Sequence, residues 1–269
     1  MKGASVRARR TLVGRDGTDL GERIVPEETP VAFTFDRTTY AVMMATPADL
    51  EDFAIGFSFT ERLIMQADEI GELETVELSN GIELRMVLGS VRGEQLAARS
   101  RRFAGPAGCG LCGIESLDEA VMAPPKIASS LAVEPATVFR AMQELSNHQP
   151  VNAQTRGVHA AGFWSPAING FVAVREDVGR HNALDKLAGA LLRADVSPSN
   201  GFIVLTSRVS IELVQKCAVL GCPLLVAISV PTSLALKTAE AANLTLAAIA
   251  RDDSFEVFTH PERIAVHVD

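Results

Sequence analysis

The chain has 269 residues, about 47% of them apolar and 22% charged, with 33 acidic side chains against 25 basic ones. That composition describes a globular protein long enough for one large domain or two modest ones, and the net charge of -8 argues against nucleic acid as its main partner. No apolar run is long enough to span a bilayer, no signal-type segment follows the basic N-terminus, and four irregularly spaced cysteines suit a reducing cytoplasm better than a disulfide framework.

The first residues carry Arg7, Arg9, Arg10, Arg15 and Asp16 without periodicity, so residues 1–23 read as a flexible arm, with order expected from Ile24. Val31 to Phe35 and Tyr40 to Ala45 read as strands around Asp36-Arg37. Thr46-Pro47-Ala48-Asp49 reads as a helix start, with Thr46 as N-cap and Pro47 in the first helical position. Leu50, Phe53, Ala54 and Phe57 follow at helical spacing. Thr75 to Leu88 alternates around Asn80-Gly81, a hairpin signal. A polar helix over residues 93–102 leads into a Gly-rich stretch, and Val133 to Leu145 reads as another helix. Residues 24–125 thus form an N-terminal α+β region and residues 126–269 an α/β region.

From about Gln154 the pattern changes. A hairpin, His159 to Trp164 and Phe171 to Arg175, is followed by strands at Phe202 to Thr206, Leu224 to Ser229 and Leu244 to Ala248. These alternate with helices at Gly179 to Arg193, Val209 to Leu220 and Thr232 to Asn243, and Phe255 to Thr259 adds an edge strand. Short apolar strands alternating with helices imply a parallel sheet covered on both faces.

Ligands of such sheets gather beyond the carboxyl ends of the strands, where helix N-termini present unpaired N–H groups. Three strand-to-helix junctions are polar here: Arg175 to Asn182, Thr206 to Ser210, and Ser229 to Ser233. Each contains residues that ordinarily cap helices. Capping leaves Arg180 and Arg208 unexplained, because a cation in a helix's first turn opposes the dipole and a bound anion would remove the conflict. Arg180, His181, Ser207 and Arg208 are therefore candidate contacts to a phosphorylated or carboxylated ligand. His181 and Asp185 lie one turn apart and read as a local pair.

Cys217 sits among aliphatic residues of a helix and Cys222 leads an apolar strand, so both read as structural. Cys109 and Cys112 differ, because Gly105, Gly108, Gly110 and Gly113 leave few side chains to shield them. A Cys-x-x-Cys pair offers two zinc ligands, yet a closed site needs two more and no second such pair exists. A zinc deaminase needs His-x-Glu before its cysteines. Here the triplet is His159-Ala160-Ala161, after them, so hydrolytic zinc is disfavoured. The pair also lies outside the βαβ setting of a thioredoxin-like motif. A carrier role, in which a thiolate takes up sulfur as a persulfide and passes it on, is a third contender.

The run Gly108-Cys109-Gly110-Leu111-Cys112-Gly113, followed by Glu176 to Leu187, resembles the formate dehydrogenase accessory sulfurtransferase family, FdhD. Further matches are Met43 to Pro47 with Asp49 to Glu51, Val158 to Ala161, Ser207 to Ser210 with Glu212 to Lys216, and Thr259 to Arg263, so the resemblance spans Pro30 to Arg263. It implies a cytoplasmic sulfurtransferase that receives sulfur from a cysteine desulfurase. The acceptor it implies is the molybdenum cofactor of formate dehydrogenase, a bis(molybdopterin guanine dinucleotide). It also implies a homodimer and a cytidine deaminase-like three-layer C-terminal domain behind the smaller N-terminal one. Carried over residue by residue, Cys109 matches the persulfide-bearing cysteine and Cys112 its partner. Ile249, Ala250, Arg251, Asp252, Asp253 and Ser254 match the cofactor-binding stretch, although two acids are unexpected beside phosphates. Two alternatives stand beside this reading: a cofactor-binding chaperone whose cysteines only shape a loop, and a zinc-binding or redox module.

Overall fold

The computed structural model describes residues 3–89, 124–251 and 253–265. The expected helix at 93–102 and the Cys109 to Cys112 stretch lie outside the described residues, as does Asp252. Twelve strands and six α-helices are assigned among the described residues.

The N-terminus departs from the expected arm. Ser5–Gly14 (β1) and Gly17–Pro26 (β2) form a ten-residue antiparallel hairpin, in register from Ser5 opposite Pro26 to Gly14 opposite Gly17. The arginines that hid any periodicity alternate faces along β1, and both faces carry exposed side chains. Such a strand has no apolar stripe to betray it.

Thr29–Phe35 (β3), Thr38–Ala45 (β4), Ile70–Leu78 (β5) and Gly81–Leu88 (β6) make a four-stranded sheet of order β4-β3-β6-β5. Alternate residues of β3 and β6, among them Val31, Phe33, Leu84 and Met86, bury one face under helix α1, Leu50–Thr60. Phe33 stacks on Phe57 with ring centroids 4.1 Å apart and meets Phe53 edge-on at 4.9 Å. Thr46 does not cap α1. The helix begins three residues later, behind Asp49 in a left-handed conformation, because Thr46 is committed elsewhere. Its Oγ1 accepts from Val178 N at 3.1 Å, and its N–H donates to Asp177.

The C-terminal sheet has six strands: His159–Ser165 (β7), Gly170–Asp177 (β8), Phe202–Leu205 (β9), Leu224–Ala227 (β10), Thr245–Ala248 (β11) and Glu256–Thr259 (β12). Their order is β12-β11-β10-β9-β7-β8. The expectation of a parallel sheet holds only for β9, β10 and β11, while β7, β8 and β12 run antiparallel to their neighbours. The reason is connection length: β7 and β8 form a hairpin, and no crossover helix separates β11 from β12. Both faces are covered as expected. Arg180–Arg193 (α4), Ile211–Leu220 (α5) and Ser233–Ala242 (α6) bury one, and Pro135–Leu145 (α2) packs on the other beside Trp164 and Phe202. The short helix α3, Pro150–Thr155, leads into β7. Cys217 and Cys222 are fully buried free thiols in this core, where burial pushes both up, Cys222 to about 12. Their structural reading stands.

The two sheets meet through α1 and α4. A Cβ at Gly56 would lie 2.6 Å from Gly189 N, and one at Gly189 would fall on the Asp52 backbone, so the helices touch main chain to main chain. Buried ion pairs flank this contact. Lys186 Nζ lies 2.6 Å from Asp177 Oδ2 and 5.5 Å above the Phe53 ring, and donates to the Thr46 carbonyl. Lys216 Nζ lies 2.8 Å from Asp185 Oδ1 and 3.0 Å from Thr60 Oγ1, over the Phe57 ring. The expected local pairing of His181 with Asp185 is therefore replaced: Asp185 turns inward to Lys216 and Thr60.

Two consequences are measurable by urea unfolding. Gly189→Ala should cost about 3 kcal/mol, since backbone rather than a flexible side chain must give way. Lys216→Met should cost about 3–5 kcal/mol by leaving Asp185 buried without its cation.

Candidate functional site at the strand ends

The carboxyl ends of β9, β10 and β11, the start of β7 and the end of β8 lie along one edge of the C-terminal sheet. Hydrogen bonds tie the loops that leave them into one rim. Ala160 N donates to Thr206 Oγ1 at 2.8 Å, Ile228 N to the Leu205 carbonyl at 3.0 Å, and Ile249 N to the Ser229 carbonyl at 3.3 Å. The sequence-predicted residues Arg180, His181, Ser207, Ile249, Ala250 and Arg251 therefore fall on a single edge, joined there by His159, which had been weighed only as a metal ligand.

Each junction behaves differently. At the first, most of the Glu176 to Leu187 run is structural. Glu176 accepts from Val151 N and Asn152 N at the start of α3, Asp177 accepts from Gly179 N and Asn182 Nδ2, and Lys186 and Asp185 pin α1. Burial raises the Glu176 carboxyl above its ordinary range against the pull of those two N–H donors. Arg180 and His181 remain for the rim. Arg180 opens α4, and its Nε is buried with no hydrogen-bond partner among the described residues. His159 is half-buried; burial lowers its pKa, and the Arg180 charge lowers it further, against the pull of Asp177.

At the second junction Arg208 is not in a helix's first turn. Val209 is held extended against Val230 and Pro231, so α5 starts only at Ile211 and Arg208 projects into solvent ahead of it. Its presumed conflict with the dipole is removed by geometry, and the dipole argument survives for Arg180 alone. Ser207 is buried and donates to the Arg208 carbonyl. His181 Nε2 reaches across to Ser210 Oγ at 3.3 Å and lies 3.8 Å from Glu212 Oε2. Burial would raise the Glu212 carboxyl, but His181, Ser210 and its own backbone N–H outweigh it and hold the pKa down at about 2. Glu212 thus keeps its charge beside His181. It carried no assigned role in the sequence beyond its place in the family match from Ser207 to Lys216.

At the third junction the capping reading is right: Thr232 Oγ1 accepts from Ala235 N at 3.2 Å. The Ile249 to Ser254 stretch follows β11. Ile249 has φ of +53°, an uncommon backbone state for a β-branched residue. Arg251 folds back, its Nη1 donating to the Ile228 and Ala250 carbonyls, and its N–H closes a turn onto the Ser254 carbonyl at 2.8 Å. Asp253 is exposed and accepts from Ser254 Oγ.

The rim therefore offers a half-buried cation with an unused donor, a half-buried histidine, a second histidine beside a carboxylate, and backbone turns at three strand ends. Among the described residues no group of three or more His, Cys, Asp or Glu is placed to hold a metal ion. This defines a mixed α/β protein with an anion-friendly rim at the carboxyl edge of its parallel strands. A family model described as the FdhD/NarQ family matches residues 26–265, and the chain belongs to that family. It is 51% identical over 260 residues to the sulfur carrier protein FdhD of Agrobacterium fabrum, covering 96% of this chain and 95% of that one. It is 44% identical to the protein of the same name from Xanthomonas axonopodis pv. citri, covering 97% and 92%. A crystal structure described as a putative formate dehydrogenase accessory protein from Desulfotalea psychrophila superposes with a TM-score of 0.75 at 27% identity, covering 97% of this chain and 99% of that one.

The Glu212 charge has a pH signature. A depressed folded-state pKa contributes stability above the ordinary value of 4.5, and that stability is lost as pH falls toward about 2. The melting-temperature gap between wild type and Glu212→Gln should be widest near neutrality, narrow below pH 4.5 and close near pH 2.

Proposed function

We propose that this chain is a sulfur carrier for formate dehydrogenase maturation, acting as a sulfurtransferase with Cys109 as the persulfide-bearing residue and Cys112 as its partner. The observation that carries this is the 51% identity, across nearly the whole of both chains, with a relative named as a sulfur carrier protein. The description of the solved relative as a formate dehydrogenase accessory protein supports the destination.

The sulfur chemistry balances with two cysteines. The Cys109 thiolate attacks the terminal sulfur of a persulfide on a cysteine desulfurase, whose own cysteine leaves as thiolate, and Cys109 becomes a persulfide. Attack of the Cys112 thiolate on Cys109 Sγ then expels hydrosulfide toward the acceptor and leaves a Cys109–Cys112 disulfide. A cellular dithiol must reduce that disulfide before the next cycle. The free thiols of Cys217 and Cys222 suit the reducing cytoplasm such a cycle needs.

The acceptor is the molybdenum cofactor, a bis(molybdopterin guanine dinucleotide), and its phosphates are the anion that the rim suits. Arg180, with its buried unused Nε, is the cation for them, with His181, Ser207 and Arg208 on the same edge and the stretch Ile249 to Ser254 beside it. The C-terminal sheet is read as a deaminase-like layer arrangement reused without its metal, as Ala161 in place of the deaminase glutamate suggests.

Incubation with a cysteine desulfurase and cysteine should add one sulfur to the Cys109 peptide by mass spectrometry, and an unmodified wild-type peptide would count against the reading. Cys109→Ala should abolish formate dehydrogenase activity in cells, whereas a mere chaperone would retain it. Arg180→Gln should weaken binding of a guanine nucleotide by roughly tenfold or more, the loss of a charge-assisted contact, while leaving the Cys109 adduct intact.

A further inference from the structure

Glu212, the second residue of α5, keeps its charge although its side chain is only 12% exposed. An acid in a helix's first turn favours the dipole and needs no further reason to be there. What the dipole leaves unexplained is where the carboxylate points. Oε2 is shut off from solvent with no hydrogen-bond partner among the described residues, and it faces His181 Nε2 at 3.8 Å. Ser210 Oγ lies 3.3 Å from the same nitrogen, and its hydroxyl helps to hold the Glu212 carboxylate ionised. A hydroxyl that turns its hydrogen to the carboxylate turns a lone pair to the imidazole. Nε2 thus meets acceptors on both sides and carries the ring's N–H.

The other ring nitrogen is open. Nδ1 makes no hydrogen bond to any described residue and, unlike Arg180 Nε, is not shut off from solvent. Arg180 and His181 both act electrostatically on His159, so the three side chains border one patch of the rim. That patch sets a cation with an unused donor beside a basic lone pair backed by a carboxylate. Its chemical complement is an anion that still carries a proton. Hydrosulfide is such an ion, and it is the species that the sulfur reading sends toward the acceptor.

We propose that His181 Nδ1 is the base that takes the proton from hydrosulfide as its sulfur passes to the acceptor, with Glu212 as the positioning residue that holds the ring and its tautomer. The inference rests on the sulfur reading above. In the step, the S–H bond breaks and its electron pair stays on sulfur, which bonds the acceptor through a lone pair. The ligand that sulfur displaces leaves with its own electron pair, and the proton goes to Nδ1 and from there to solvent. Sulfur stays at the oxidation level of sulfide throughout, so nothing is oxidised or reduced. The imidazolium formed is balanced by the carboxylate behind it, the usual arrangement of a histidine base.

Two measurements on the full chain test this. Nitrogen-15 NMR should find the neutral His181 ring protonated at Nε2 in the wild type. Glu212→Gln should shift part of the population to Nδ1, because an amide can donate where a carboxylate only accepts. For the second, persulfide-loaded chain is titrated into inactive formate dehydrogenase. Glu212→Gln and His181→Gln should each lower the activation rate at saturating carrier about 100-fold, with the half-saturating concentration little changed. The double variant should be no slower than either single one, and Glu212→Asp should restore part of the rate. A wild-type ring protonated at Nδ1, an activation rate untouched by either substitution, or losses that multiply in the double variant would overturn the proposal. Each carrier is first weighed for its Cys109 adduct: a wild type without one fails the sulfur reading, whereas loaded variants that activate at the wild-type rate fail this inference alone.

Discussion

The contact on which the rest of the structure depends is the crossing of α1 and α4. Two glycines, Gly56 and Gly189, let the helix backbones touch, and that proximity brings the Thr46 loop onto the end of β8. Lysines 186 and 216 are buried beneath aromatic rings of α1 and held by aspartates and carbonyls on both sides. Replacing such pairs by apolar residues is often neutral for stability, whereas removing one partner is costly. Their value here is positional: Asp177 and Lys186 accept and donate to the same Thr46 loop that fixes Val178, and thereby fix where α4 begins. Arg180 is the first residue of that helix.

This gives the long Glu176 to Leu187 motif a division of labour that its residue types conceal. Polar residues clustered at a strand-to-helix junction suggest a ligand site, yet five of them, Glu176, Asp177, Asn182, Asp185 and Lys186, satisfy buried backbone, one another or a buried residue of a neighbouring helix. Two neighbours, Arg180 and His181, turn outward to the rim. A helix alternates its faces every few residues, so one contiguous motif can serve as a clamp on one side and a recognition surface on the other. Substituting the clamp residues would impair function by moving Arg180, without any of them touching a ligand.

Helices and strands of the C-terminal region were legible to within one or two residues because their apolar runs are short, periodic and bounded by Gly, Asn and Pro, as at Gly221 and Asn243. The antiparallel β7–β8 hairpin was legible too, but how β7 pairs with β9 and β12 with β11 was not, since orientation follows from which strands pair rather than from local pattern. The hairpin at Ser5–Pro26 was missed for a different reason: a ribbon exposed on both faces has no buried side to impose alternation, so its residues carry no signature of the strand they form. At the site, the polar junctions were found by residue type, but the place of Glu212 beside His181 and of His159 on the rim followed only from the fold, which sets α5 beside α4 and β7 beside β8. Such partners are tertiary neighbours, which spacing along the chain does not encode.

The rim's electrostatics follow from the same assembly. A chain of net charge -8 would repel a polyanionic ligand at long range, so any affinity for phosphate must be generated locally, within a Debye length of about 8 Å. Arg180 Nε has no partner among the described residues, while Asp177 and Glu212 are engaged by Lys186 and His181 respectively. The lowered pKa of His159 fits the same arrangement, because a second cation there would have to be desolvated beside Arg180. Two arginines on the rim, only one of them half-buried, bind an anion while keeping the edge open to release it. A carrier that must hand its cargo on and leave is better served by that balance than by a dense arginine cluster, whose tighter grip would slow departure.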